Sequence, residues 1–306
     1  MEKFSEKELT MLENAIVDLY EKTNRQTCPY KTYMEIEALW NFLDVPADKK
    51  IRFNSPNAEE VCIVRLIALH YAVLALAVNC SDSTESSLYF GLFLAISNTI
   101  VAIINLAEDG LDYQAMSLIR NLFELFMTLI IVTDSPEKRA AFISAHESED
   151  GRKVWHKYFT KTKFQQMLKG YCNTHPDLNN AIEDFQKWIH ENYGELSSYT
   201  HSDYPHIVCC SISQNDDNGY SHPNIWGQYV TWQKRIYSQL YLVASPAHNI
   251  FWYMLRDSEI DINIDYLFGE EPKGGSTIGK DIINELQQII KNLTLNNLGI
   301  SCPSDL

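Results

Sequence analysis

Apolar residues return every three to four positions along most of this chain, the period of a helix buried along one side. Near the N-terminus Ser5-Glu6-Lys7-Glu8 reads as a capping box, and Leu9, Leu12, Ile16 and Leu19 follow at helical spacing. Tyr33, Ile36, Leu39, Trp40 and Leu43 predict a second helix over 29–43. Ser55-Pro56, an N-cap with proline at the first helical position, opens a third that reaches Asn79.

Two stretches in the middle break the one-sided pattern. Leu88 to Ala107 is twenty residues without a charge, and Asp112 to Thr133 is apolar on nearly every face. A helix apolar all round is one that is buried all round. Yet Arg120 and Glu124 stand in the middle of the second stretch, one turn apart, where each can partner the other. The pair is expected to be buried, because an ionised group in apolar surroundings needs its partner. Asp109-Gly110 joins the two stretches, with Gly110 suited to end a helix in the left-handed conformation. So short a link predicts an antiparallel αα-hairpin over 88–133, in which Asn98 falls opposite Leu122 and joins the polar cluster.

After Asp134-Ser135-Pro136 the pattern predicts helices over 136–146, 152–169 and 174–198. Residues 199–222 are the least helical, with a strand over 207–213 and a hairpin-type turn at Asn218-Gly219. A long aromatic helix over 223–255 contains Pro246, and an amphipathic helix over 282–295 follows a glycine-rich stretch. The sum is an all-α, multi-helix bundle organised on the hairpin, with a small irregular or β-hairpin insertion near 199–222. Its parts are an N-terminal helical segment (1–54), a core helical domain (55–267), and a linker with C-terminal helix (268–306). Together these are expected to form one structural unit.

Composition narrows this picture. The 306 residues are 45% hydrophobic and 21% charged, enough for a sizeable core, and 12 glycines are few for a turn-rich β fold. The seven scattered cysteines show no C-x-x-C, as expected of reduced thiols in the cytoplasm. No apolar leader is visible in MEKFSEKELT. The stretch 88–107 has the length of a membrane span, but acids flank it and polar residues interrupt it. A core helix, and no membrane, is the expectation.

The net charge of −15 excludes phosphate-backbone binding over the whole surface. One segment runs against that charge. Arg152, Lys153, Lys157, Lys161 and Lys163 are interleaved with Trp155, Tyr158, Phe159 and Phe164, with no acid from Gly151 to Pro176. Such a surface suits RNA or another polyanion, whereas an ordinary solvated helix face would align Lys153, Lys157 and Lys161. Gly274 to Lys280 has the G-x-x-x-x-G-K spacing of a phosphate loop, but Asp281 stands where Ser or Thr should reach magnesium. It reads as a linker, and no cofactor is expected. His201, Asp203, His206, Cys209, Cys210 and His222 crowd one segment without metal-site spacing, so no metal is expected either.

Ala115-Met116-Ser117-Leu118-Ile119-Arg120-Asn121-Leu122-Phe123-Glu124, followed by Ser198-Tyr199-Thr200-His201, carries a resemblance. It resembles a family of helical bacterial proteins of unknown function that couples A-x-x-L-x-R-x-x-x-E to a later S-x-x-H, over residues 60–255. The resemblance implies Arg120, Glu124 and His201 as a polar cluster, beside which Asn98, placed by the hairpin geometry, and Ser198 are expected as structural members. It also implies a distant similarity to HEPN domains, helical modules of RNA-cleaving toxins and defence proteins. The HEPN spacing itself occurs at Arg65-x4-His70 and Arg139-x6-His146, but Leu66 and Ala140 replace the usual polar residue after Arg.

Two functions follow. In one the protein is a regulatory or interaction protein of a defence or toxin system, with a protein partner or as a homo-oligomer, and the cluster fixes helix register. In the other it is a HEPN-like ribonuclease with His201 as acid or base, Arg120 stabilising phosphate charge and Glu124 orienting Arg120. Exposure of the cluster beside 152–169 separates them, because a sealed cluster cannot reach a substrate.

Overall fold

The computed structural model describes residues 58–78, 84–145, 151–175, 178–201, 212–214, 221–223 and 232–257. Expectations for the first two helices, the Ser55-Pro56 cap, the glycine-rich stretch and the C-terminal helix lie outside these residues, as do Asp203, His206, Cys209 and Cys210. The described residues form eight helices and one short strand pair: α1 (Ala58–Val78), α2 (Thr84–Glu108), α3 (Asp112–Asp134), α4 (Pro136–Ala145), α5 (Gly151–Tyr158), α6 (Lys161–Thr174), α7 (Asn179–Thr200), β1 (Ile212–Gln214), β2 (Ser221–Pro223) and α8 (Gln233–Asp257). The all-α expectation holds. The strands pair antiparallel, with Ser213 opposite His222, inside the predicted insertion.

The chain divides into two compact units, Met1–Ser97 with Asp261–Leu306, and Asn98–Ile260. The boundaries expected near 54 and 267 fall outside the described residues. In the first unit, Ile63, Val64, Ile67, Tyr71 and Leu74 of α1 are fully buried. Tyr71 meets Phe93 of α2 at 5.8 Å between ring centres. Burial pushes the Tyr71 phenol well above its ordinary range.

The second unit is built on α3. Gly110, at φ 69°, ends α2 in the left-handed region that a side chain would make costly. Leu111 N–H then donates to Leu106 O at 2.8 Å and Gly110 N–H to Ala107 O at 3.3 Å, closing a Schellman turn. The helix after it packs most extensively on α8, then on α7, α4 and α6. The packing of α2 along α3 that the short link predicts is not among these contacts. On α8, Ile236, Leu240, Val243, Ala244, Ala247, Ile250, Phe251 and Met254 are buried at helical spacing. Buried Asp112 accepts the Trp232 backbone N–H at 3.2 Å, which brings the starts of α3 and α8 together.

Phe123 is the aromatic hub of this unit. It is fully buried and meets Phe164 of α6 at 6.0 Å and Phe185, Trp188 and Tyr193 of α7 at 6.1, 5.9 and 5.6 Å. Edge and tilted contacts of this kind are the favoured geometry for aromatic rings. Trp188 Nε1 donates to Gln239 Oε1 at 2.9 Å and ties α7 to α8.

The single helix expected over 152–169 is two helices. Thr160 adopts extended backbone, and its hydroxyl accepts the Lys163 N–H at the start of α6. The break lets two phenylalanines bury in different places. Phe159 packs on Phe142 at 5.0 Å, whereas Phe164 joins Phe123 and Phe185. A helix running straight through would commit both to one screw axis.

Among the described residues, two helices, α2 and α3, are long and apolar enough to cross a membrane by length and composition. The exposed positions of α2 include Glu85, Ser87, Gly91, Leu94, Asn98 and Asn105, a stripe that is mostly polar.

Candidate functional site

One edge of α3 carries Tyr113, Ser117, Arg120 and Glu124 at i, i+4, i+7 and i+11, a single helical face. It meets the last two turns of α7, where Tyr193, Ser197 and His201 follow each other at four-residue steps. Two neutral donors dock the end of α7. The Tyr113 hydroxyl donates to the Tyr199 carbonyl, and the Ser117 hydroxyl lies 3.3 Å from the same oxygen and shares its proton with the Tyr113 carbonyl at 3.0 Å. The attachment therefore does not rest on charge.

Arg120 spreads its guanidinium over three partners. Nε donates to Glu124 Oε1 at 3.1 Å, Nη1 to His201 Nε2 at 3.2 Å and Nη2 to the Tyr193 hydroxyl at 3.4 Å. Tyr193 donates in turn to the same Glu124 Oε1, at 3.4 Å. Because a guanidinium has only donors, His201 Nε2 must accept, and the imidazole proton sits on Nδ1.

The pair is half-solvated, against the expectation of full burial. The side chain of Arg120 is 15% exposed and that of Glu124 32%, and His201 is exposed. The apolar run on all faces belongs only to the later part of α3, where every residue from Phe126 to Thr133 is buried. Over the first turns the polar stripe is only partly buried where it meets α7.

Lys161 arrives from the start of α6. Its Nζ lies 4.8 Å from the centre of the Tyr193 ring, and the Arg120 guanidinium carbon lies 5.2 Å from the same ring. Two cations thus gather on one aromatic ring, each favoured by its negative face. Among the described residues, the carboxylate bonded in this group is Glu124. Burial pushes the Tyr193 phenol above its ordinary value, with Arg120 pulling it down and Glu124 pushing it up. It stays protonated at neutral pH and serves as a donor.

The other expected residues separate. Asn98 is exposed and is not among the groups bonded to Arg120. Ser198 donates to the Gly194 carbonyl of its own helix at 3.4 Å, away from the cluster. Arg152, Lys153, Lys157 and Lys163 are exposed on α5 and α6. The break at Thr160 takes Lys161 out of line with Lys153 and Lys157, so no three-lysine stripe forms. Lys157 instead lies 4.5 Å over the Tyr158 ring, and the Tyr158 hydroxyl beside it holds its ammonium above the ordinary lysine value.

Of the HEPN-spaced arginines, Arg139 is buried and donates to the Val132 carbonyl at 3.3 Å, capping the end of α3. His70 is buried in the first unit, and His146 lies outside the described residues. Among the described residues no three His, Cys, Asp or Glu side chains gather as a metal site would require. Tyr193 was the residue missed by sequence reasoning. Its signal was its four-residue ladder to Ser197 and His201, hidden in a helix that reads as aromatic core.

An all-helical unit with an open Arg–Glu–Tyr–His cluster is the class that fold and site define. Residues 87–220, which contain the whole cluster, match the model of a family of unknown function (DUF5677). No curated protein and no solved structure matches the chain.

Proposed function

We propose that Arg120, Lys161, Tyr193 and His201 form a binding site for a phosphodiester, and that the protein is a HEPN-like ribonuclease of a bacterial defence or toxin system. The observation that carries this reading is the exposure of the cluster beside α6, with two cations set against one carboxylate. A cluster whose task was to hold α7 on α3 would duplicate what Tyr113 and Ser117 already do.

The chemistry needs a base, a charge stabiliser and a donor. His201 takes the proton of a ribose 2′-hydroxyl through its unprotonated ring nitrogen. The 2′-oxygen attacks phosphorus, the bond to the 5′-oxygen breaks, that oxygen takes a proton from water, and the protonated His201 gives its proton to the hydroxide so formed. Arg120 turns its Nη groups to the non-bridging oxygens, and Glu124 holds Nε so that the guanidinium stays in place. The products are a 2′,3′-cyclic phosphate and a 5′-hydroxyl.

The runner-up is a regulatory or interaction protein, alone or as a homo-oligomer. What favours it is that all three guanidinium nitrogens already have protein partners. Both readings place the protein in the cytoplasm and not in a membrane, in keeping with the polar exposed stripe of α2.

The test is cleavage of end-labelled RNA by the wild type, His201→Ala and Arg120→Ala, with the product ends identified. Cyclic-phosphate products made by the wild type alone support the enzyme. A wild type that neither retains nor cleaves RNA leaves the interaction protein.

A further inference from the structure

Among the described residues Trp155 is one of few large apolar side chains left open, 37% exposed on α5. It is also held still. Its ring stacks on Phe159 with centroids 5.5 Å apart and planes 19° from parallel, and Phe159 is fully buried against Phe142. One face of the indole is thus fixed by the core, while exposed area remains for another ring.

The charges around it follow the helix geometry. Arg152 lies one turn before Trp155 and shares its face, whereas Lys153 and Lys157 fall on the opposite side. After Trp155 the chain makes one more helical turn to Phe159 and then extends through Thr160 to Lys161. From helix rise and extended reach, Trp155 and Lys161 have Cα atoms no more than about 13 Å apart. Adjacent nucleotides of one strand can touch both. Glu137 accepts the Tyr158 hydroxyl of this helix at 2.8 Å.

From this arrangement we infer that Trp155 is a stacking platform for one unpaired base of single-stranded RNA, with Arg152 on a neighbouring phosphate and Lys161 leading the strand toward Arg120. The inference rests on the phosphodiester reading of the Arg120 site and names its substrate class. An exposed aromatic between cations is the arrangement that holds unpaired nucleic acid, because every base offers a π face. A duplex keeps its bases stacked on each other and offers none.

The experiment is fluorescence anisotropy of a labelled oligouridylate, an abasic strand of equal length and an RNA duplex. The proteins are the wild type, Trp155→Ala, Trp155→Leu and Trp155→Phe. Trp155→Ala and Trp155→Leu should weaken oligouridylate binding by about 5- to 150-fold, the value of one base–aromatic stack. Trp155→Phe should keep most of the affinity, and the abasic strand should bind all four alike. Trp155→Leu keeps an apolar side chain beside Phe159, and an unchanged circular-dichroism spectrum of that variant separates a lost stack from misfolding. Equal binding of oligouridylate by the wild type and Trp155→Leu would overturn the platform, even if RNA is cleaved. Trp155-dependent binding without cleavage would keep the platform and remove the ribonuclease. A wild type that binds none of the three strands removes both.

Discussion

Arg120 Nη1 reaches His201 Nε2 at 3.2 Å, between residues 81 apart in sequence. This contact fixes the tautomer of the histidine, since the acceptor nitrogen carries no proton. In a long-range proton–nitrogen NMR correlation, His201 should show the Nδ1–H tautomer in the wild type. Arg120→Ala should relax it to a mixture. A wild type already mixed would mean that the contact is not kept in solution.

Arg120→Lys asks whether the fork matters or only the charge. An ammonium is a point donor and cannot reach Glu124, His201 and Tyr193 from one rigid plane. The variant should fold with its circular dichroism unchanged and lose RNA cleavage as fully as Arg120→Ala. Retained cleavage would show that a cation anywhere near Tyr193 is enough.

The pair's contribution to stability follows from its exposure. A buried ion pair broken on one side costs about 3–5 kcal/mol, but Glu124 is 32% exposed and Arg120 15%. Solvent screening reduces the coupling to about 1 kcal/mol or less. A double-mutant cycle of Arg120→Ala and Glu124→Ala by urea unfolding should return that coupling. The apolar pair Arg120→Met with Glu124→Leu should bring no rescue. A cycle returning about 3 kcal/mol or more would restore the buried pair.

Phe123 is the position where the unit is vulnerable. Its fully buried ring touches four other rings on two helices, so truncation leaves a cavity that no neighbour can fill. Phe123→Ala should cost about 3–5 kcal/mol, measured by urea unfolding. A loss below about 1 kcal/mol would mean that α6 and α7 collapse onto the gap.

Much of this architecture was legible because its signals are local. Residues 112–134 could be bounded nearly to the residue, since Asp109-Gly110 and Asp134-Ser135-Pro136 are helix punctuation. Arg120 with Glu124 follows from the turn of a helix. Burial was misjudged because apolar residues on every face of 118–131 hid the stripe Tyr113, Ser117, Arg120, Glu124. That stripe faces α7, and its partner is chosen by tertiary packing that no local pattern encodes. For the same reason a short Asp-Gly link said nothing about α8, although Trp232 just before it, 120 residues after Asp112, is bonded to that aspartate. The break at Thr160 was missed since lysines and aromatics keep helical period through it, and only the separate burial of Phe159 and Phe164 demands it.

The alkaline limb of stability tests Tyr193. Burial raises its phenol above the ordinary value of 10.0, so the folded protein holds this proton at pH values where the unfolded chain has released it. Below about pH 10 both states are protonated and Tyr193 adds no pH dependence. As pH rises through and beyond 10, the unfolded state binds fewer protons than the folded one. Stability then falls, with the slope that proton linkage requires. Tyr193→Phe keeps the ring that Phe123, Arg120 and Lys161 lie against, but it has no proton to lose. The other tyrosines and the lysines titrate in both proteins and largely cancel in the comparison. The unfolding free energy of the wild type minus that of Tyr193→Phe should therefore be flat from pH 7 to about 9 and decline from about 10 upward. A difference that stays flat to the end of the alkaline range would mean that Tyr193 is solvated like any surface tyrosine. A difference that rises would mean that Arg120 outweighs burial and holds the phenolate.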